Sequence, residues 1–514
     1  MRKQIIHFSL FTFIFLLTAC QFEDDSDCPK DENIAASYIN LTIAVSNGDS
    51  HSRTREGELP TGGENGDGRE AGFERENAVT GITLILYKDA NGINTTNDPK
   101  LDFVRYFPVT LEDRDDQGTP YTTKTREAYY TTGDQPIGRP NLDFSDKYHA
   151  IVIANQMLPS SIIEGTSTLS EIRDYTTSII YSGNATQPAS SCVNFVMSSE
   201  ADNTINFGAV TGTNLDGSTH TKGKDILYDL SGQPLVIERM AARIDFWSAN
   251  STGYDDTNYS KKGYVYNVTG STTDKFVVTG IVPFNLNNGH STYGSEYLLK
   301  RQCADKDNLV ATKISRLADE TLSSYVIDPK TLSKTSGTPT LTSPLGGLYT
   351  LIGGEGGTVD VESTINNPYY HSIESMHGSA TASSTIDSKE NVIVCYPMEN
   401  TLLPTTPLYY YATGIAVVGY YYKNGTGAGT RYVYLGYLRH QGEDASYNIQ
   451  PYTTPLATDA TMGTTKAMNF GIVRNNIYRV SINSIDKKGD DTPMITLHIK
   501  VKKWDKFEHA PIYM

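Results

Sequence analysis

The sequence predicts an all-β protein of two β-sandwich domains in tandem, with short helical insertions. Three observations carry this reading. Apolar runs of strand length recur along the 514 residues, separated by polar, glycine-containing turns. Tyrosine, which favours strands, occurs 34 times, and Ser, Thr and Asn fill the joins. Helical signal is confined to Ser161–Arg173 and Thr312–Leu322. The chain is too long for one ordinary core, and each one-sided strand must bury its apolar face against another sheet.

The first element is Tyr38–Val45 (YINLTIAV). Ile39, Leu41, Ile43 and Val45 face one way, and Tyr38, Asn40, Thr42 and Ala44 the other. Ser46–Asn77 follows without an apolar pattern. It carries Arg53, Arg55, Arg69 and Arg75 among many glycines and reads as a mobile, cleavable loop. Further strands are expected at 79–87, 148–154, 192–197, 235–246 and 276–284. Later ones are expected at 391–396, 408–422, 431–438, 477–485 and 494–501. NGTGAG at 424–429 joins two of them as a hairpin turn. The stretch 286–390 is the least regular and reads as small elements added to the second sandwich. The polar segment 211–235 is the expected join between domains.

Ahead of the first strand, Met1–Lys3 is basic and Ile5–Leu17 almost wholly apolar, too short to span a membrane stably. Leu17-Thr18-Ala19-Cys20 then resembles a lipoprotein processing box. This predicts export, cleavage before Cys20 and acyl chains on Cys20 as a tether; a plain secretory signal is the alternative. Cys28, Cys192, Cys303 and Cys395 show no CxxC spacing, so neither a disulfide scaffold nor a zinc knuckle is expected.

Lys and Arg number 43 against 59 Asp and Glu, a net charge of −16 that argues against nucleic-acid binding. GGEGG at 353–357 lacks the Lys-Ser/Thr of a phosphate loop. No HExxH or GxSxG occurs, and Asp115 and Asp116 sit in a polar turn. No catalytic, cofactor-binding or metal-ligating residues are therefore assigned, and no enzyme activity is expected.

Six segments, in order, carry a resemblance. They are KYHAIVIANQ at 147–156, NFVMSS at 194–199, LVIERMAARIDF at 235–246, YPMENT at 396–401, GIVRNNIYRVSINSI at 471–485 and IKVKKWDK at 499–506. Together they resemble the major fimbrial subunit proteins of Bacteroidales, the fimbrillins. The resemblance implies two transthyretin-like sandwiches. The signal peptide would cover 1–19, a propeptide with the first strand 20–55, the first sandwich 56–225, and the second 226–514. It implies a precursor anchored to the outer membrane through Cys20 and a mature form in an extracellular fimbrium with roles in adhesion. An arginine-specific protease would cut after Arg55 or Arg53, with Arg69 and Arg75 as fallback sites, and release the strand bearing Ile39, Leu41, Ile43 and Val45. The opened groove would be refilled by a neighbour's C-terminal strand region, with Ile495, Leu497, Ile499 and Val501 on one face and Trp504 near its end. Partners would be further copies of the subunit and accessory tip and anchor subunits. Three other readings stand beside this one. They are a tip or anchor subunit, a monomeric surface lipoprotein that keeps its first strand, and a carbohydrate-binding surface lipoprotein using the tyrosines of 408–422.

Overall fold

The computed structural model describes residues 36–45, 69–71, 74–88, 99–112, 129–138, 142, 147–174, 176–177, 192–199, 203–210, 212–219, 225–284, 296–297, 301–302, 324–325, 332–335, 338–341, 370–377, 383–386, 389–401, 413–438, 444–449, 471–487 and 492–505. They form predominantly antiparallel β-structure with a few short helices. Cys20, Arg53, Arg55, the glycine cluster at 353–357, the expected helix Thr312–Leu322 and the tyrosines at 409–411 lie outside the described residues. Among the described residues, no helix is long and apolar enough to cross a membrane.

One eleven-stranded sheet makes up the first half. Its main path runs Leu101–Pro108, Gly81–Tyr87, Lys147–Ala154, Met197–Ser198, Ile226–Arg239, Ser37–Val45, Tyr129–Thr131 and Thr110–Glu112, with Asn203–Asn206, Thr213–Asn214 and Gln135–Gly138 paired off it. All of GITLILY at 81–87 is buried, as befits a strand paired on both sides within the sheet. Leu101–Pro108 is at the edge and alternates, with Leu101, Phe103 and Phe107 inside. The loop after Pro159 covers part of that edge: Leu101 donates to Ser167 O and Gly165 to Leu101 O, at 2.8 and 2.7 Å. The sheet curls, so residues from both of its ends join one apolar core.

In the second half, two sheets enclose one core. The seven-stranded sheet has Pro493–Asp505, Asn476–Lys487, Arg243–Trp247 and Lys389–Cys395 at its centre. The six-stranded sheet has Gly263–Asn267, Lys275–Phe284, Gly414–Tyr422 and Thr430–Tyr437. The last two form the expected hairpin, closed at Lys423–Gly425 with Asn424 at φ 57°. Gly419 permits close packing there: a Cβ at this position would lie 2.2 Å from the Phe276 ring.

Several local expectations change. Leu235–Phe246 is two strands, Ile226–Arg239 and Arg243–Trp247, because the ladder changes partners at Met240–Ala242. Ala242 N–H donates to Pro397 O and Asn475 N–H to Ala241 O, both at 2.8 Å. The first core runs through Ala241 and the second starts at Ala242. The expected division at 225/226 thus falls just ahead of a long strand that pairs within the first sheet. The polar residues of that segment build a turn at Asn214–Ser218 and a bulge at Ser231–Pro234. Of Cys192–Met197 only Met197 lies in a ladder, since Asn194 turns the chain at φ 54°. Ser161–Arg173 holds turns and the helix Leu169–Asp174. Between 286 and 390 the described elements are short strands and the helix Ile373–His377.

The end of the expected loop Ser46–Asn77 is built into the fold. Arg69–Ala71 runs parallel to Lys503–Asp505, and Glu74–Asn77 is a helix with Glu76 and Asn77 buried. No apolar pattern announces this, because polar groups anchor the segment.

Candidate functional site

The first strand, Ser37–Val45, closes the curled sheet. On one side it pairs in parallel with Ile226–Arg239, from Ser37↔Ile226 to Val45↔Ile237. On the other it pairs antiparallel with Gln135–Gly138 and Tyr129–Thr131. The long partner bulges between Leu230 and Leu235, where Pro234 has no N–H to give the ladder. The amide of Leu41 donates to Thr132 Oγ1 at 3.0 Å, and Thr132 N–H returns a bond to Leu41 O at 3.1 Å. Ile39, Leu41, Ile43 and Val45 are all 0% exposed, as alternation predicts. Thr42 and Ala44 are buried as well, so the strand is covered on both faces at its C-terminal end. Among the described residues, this strand alone bridges Ile226–Arg239 and Tyr129–Thr131 within the sheet order.

The C-terminal strand, Pro493–Asp505, lies at home in the second core. Ile495 and Leu497 are fully buried, and Ile499 and Val501 nearly so. Asn476–Lys487 pairs along one side. The other side is covered by Asp444–Ile449 and then Arg69–Ala71, with Trp504 opposite Glu70.

Between the two cores lies a polar cluster that sequence reasoning missed as a site. Glu76 is at its centre. Tyr396 Oη donates to its carboxylate, and Arg243 Nη1 lies 3.5 Å away. Arg239 reaches the Glu76 carbonyl through Nε at 3.0 Å, Asn475 Oδ1 at 2.7 Å, and the Asn77 side chain. Arg243 holds Asp245 with two nitrogens at 2.9 and 2.8 Å, and Arg474 Nε holds Glu399 at 2.6 Å. Asn475 occupies the left-handed region at φ 59°. Burial pushes the Tyr396 phenol well above its ordinary pKa, and the Glu76 carboxylate adds to the rise. Glu238-Arg239, Arg243, Glu399 and Arg474-Asn475 lie in the segments that carry the resemblance, but no local pattern marks them as meeting Glu76.

No protein-family model and no curated protein matches the chain. Solved structures align with it over nearly its whole length at low identity. A protein of Parabacteroides distasonis assigned to cell adhesion is 13% identical, over 92% of this chain and 98% of that one, with a TM-score of 0.38. A fimbrilin from Porphyromonas gingivalis is 12% identical, over 93% and 99%, with a TM-score of 0.36. The tip fimbrial protein of the same organism is 10% identical, over 91% and 99%, with a TM-score of 0.35.

The remaining sequence candidates are placed as follows. Tyr420, Tyr421 and Tyr422 are buried and form no exposed aromatic face. Cys192 and Cys395 are buried; burial pushes the Cys192 thiol up to about 11 and the Cys395 thiol well above its ordinary value. Among the described residues, no group of three or more His, Cys, Asp or Glu could hold a metal ion.

Proposed function

We propose that this chain is a structural subunit of a cell-surface fimbria, assembled by strand exchange after arginine-specific removal of its first strand. The observation that carries this reading is the position of Ser37–Val45. It is the strand that closes the first sheet, and its four aliphatic side chains fill the first core. A cut after Arg55 or Arg53 severs it from everything downstream. Its loss would leave a groove between Ile226–Arg239 and Tyr129–Thr131, with unpaired backbone on both walls and an apolar floor. Burying four such side chains is worth roughly 6–12 kcal/mol at about 1.5–3 each, so an empty groove has a strong drive to take another strand. A donor from a second copy gives β-augmentation, and a head-to-tail joint of this kind does not close.

In this reading the two cores belong to two sandwich domains, and the precursor is exported and tethered by acylated Cys20. Acyl mass on the peptide that begins at Cys20 checks the tether. The donor is the C-terminal strand region bearing Ile495, Leu497, Ile499, Val501 and Trp504. Because that strand is docked at home, donation requires it to leave its own core. Truncation after Asp505 keeps the strand and separates its role from that of the residues beyond it.

The test uses purified precursor with and without an arginine-specific protease, followed by SDS-resistant laddering and electron microscopy. Filaments should require the protease. A chain with Arg53, Arg55, Arg69 and Arg75 all replaced should stay monomeric; full-length filaments from that chain would refute the mechanism. Tip and anchor roles move ahead if cleavage gives only stable monomers.

A further inference from the structure

The polar cluster between the cores includes Arg75, an arginine in a chain read as cut at arginines. The bond after Arg75 is surrounded by fixed groups. The next three carbonyls in the chain each accept a side-chain hydrogen bond. Glu76 O takes one from Arg239 Nε at 3.0 Å, Asn77 O from Tyr130 Oη at 2.8 Å, and Ala78 O from Asn155 Nδ2 at 2.8 Å. Arg75 itself donates to Tyr396 Oη at 3.1 Å and lies 3.8 Å from the Glu76 carboxylate. The Glu76 side chain is 0% exposed and faces Arg243 and Tyr396. These partners come from both halves. Tyr130, Asn155 and Arg239 belong to the first sheet or its loops, and Arg243, Tyr396 and Asn475 to the start of the second or to loops beside it.

We propose that the helix Glu74–Asn77 is a latch that ties the two halves together and shields Arg75 from arginine-specific proteases, with Glu76 as its positioning residue. A protease binds an extended segment around the scissile bond. Reaching Arg75 therefore requires all three carbonyls to be released and the Glu76 carboxylate to be withdrawn from its partners. Cleavage then tracks the population of the opened latch. Shielding confines processing to residues upstream of the helix, so the latch stays with the chain after the first strand is cut away. It is a property of the single chain and does not depend on filament formation.

The experiment is limited digestion of the full-length protein with an arginine-specific endoprotease, with each new N-terminus quantified by mass spectrometry. In the unaltered protein, a terminus beginning at Glu76 should be absent while upstream termini appear. Glu76→Ala should raise the rate of cutting after Arg75 by about tenfold or more, with rates at Arg53 and Arg55 unchanged. Tyr396→Phe keeps the ring packed on Phe195 but removes the hydroxyl shared by Arg75 and Glu76, and should raise the rate by about threefold. It also decides the matter if Glu76→Ala does not fold. Rapid cutting after Arg75 in the unaltered protein overturns the latch, as does an unchanged Arg75 rate in folded Tyr396→Phe. Absence of cutting at Arg53 and Arg55 counts against the processing reading alone.

Discussion

The first and last described strands are alike in what they bury and opposite in how they are held. Ser37–Val45 and Pro493–Asp505 each place four aliphatic side chains in a core. The first strand joins two parts of one curled sheet, and its downstream link runs through an arginine-bearing segment. The last strand lies within the seven-stranded sheet of the second half, paired with Asn476–Lys487 along its length. Burial alone therefore does not mark a strand as exchangeable. The place of its covalent link and the sheet it leaves behind matter as much.

The largest effect should come from deleting the last strand. Truncation after Asp490 removes Ile495, Leu497, Ile499 and Val501 and, at roughly 6–12 kcal/mol, is comparable with a whole domain's stability. The second half should fail to fold, read by lost near-ultraviolet circular dichroism and by proteolysis beyond Arg243. A cooperative, protease-resistant second half in that chain would break the comparison.

Next come single core truncations. Ile43→Ala and Leu497→Ala should each destabilise the precursor by about 2–5 kcal/mol in urea denaturation. After arginine cleavage and release of the first strand, only Leu497→Ala should still matter. Equal effects before and after cleavage would mean that the first strand has stayed in place.

A smaller effect concerns acid. The Tyr421 hydroxyl, the Asn424 N–H and Lys487 hold the Asp274 carboxyl below its ordinary pKa, and so tie the hairpin turn to Asn476–Lys487. A carboxylate depressed in the folded state stabilises it above the ordinary value, and that contribution fades as pH falls below about 4. The urea midpoint should therefore drop more between pH 7 and pH 3 in the unaltered protein than in Asp274→Asn. A parallel drop in both would remove Asp274 as the cause.

The smallest is at the hairpin tip. Asn424, at φ 57°, should tolerate glycine with a change of under about 1 kcal/mol, whereas Asn424→Val should destabilise by about 1–2 kcal/mol. Thermal melts of both variants distinguish a required left-handed turn from an adaptable one.

Much of this fold was legible in period-two patterns. YINLTIAV, GITLILY and the hairpin at 414–437 follow from alternation, apolar runs and turn residues, which are local properties of the chain. The candidate strand for removal was legible for the same reason. The polar cluster was not. Glu76, Asn77 and Arg75 lie in a charged stretch that looks like loop, and nothing nearby tells that Arg239, Tyr396 and Asn475 come to meet them. Their separations in the chain, 163 residues between Arg239 and Glu76 and 320 between Tyr396 and Glu76, show why.

The sequence by itself determined the strand-rich class, the first strand's apolar face and the arginines beside it, because each depends on neighbours a few residues apart. Only the tertiary structure decided that the first strand closes a single curled sheet, that the last strand rests in its own core, and that Glu76 and Asn77 are buried between the halves. Those outcomes turn on which distant strands pair and which buried charges find partners. A charge can stay buried only where partners from several elements converge, and no local pattern encodes that convergence.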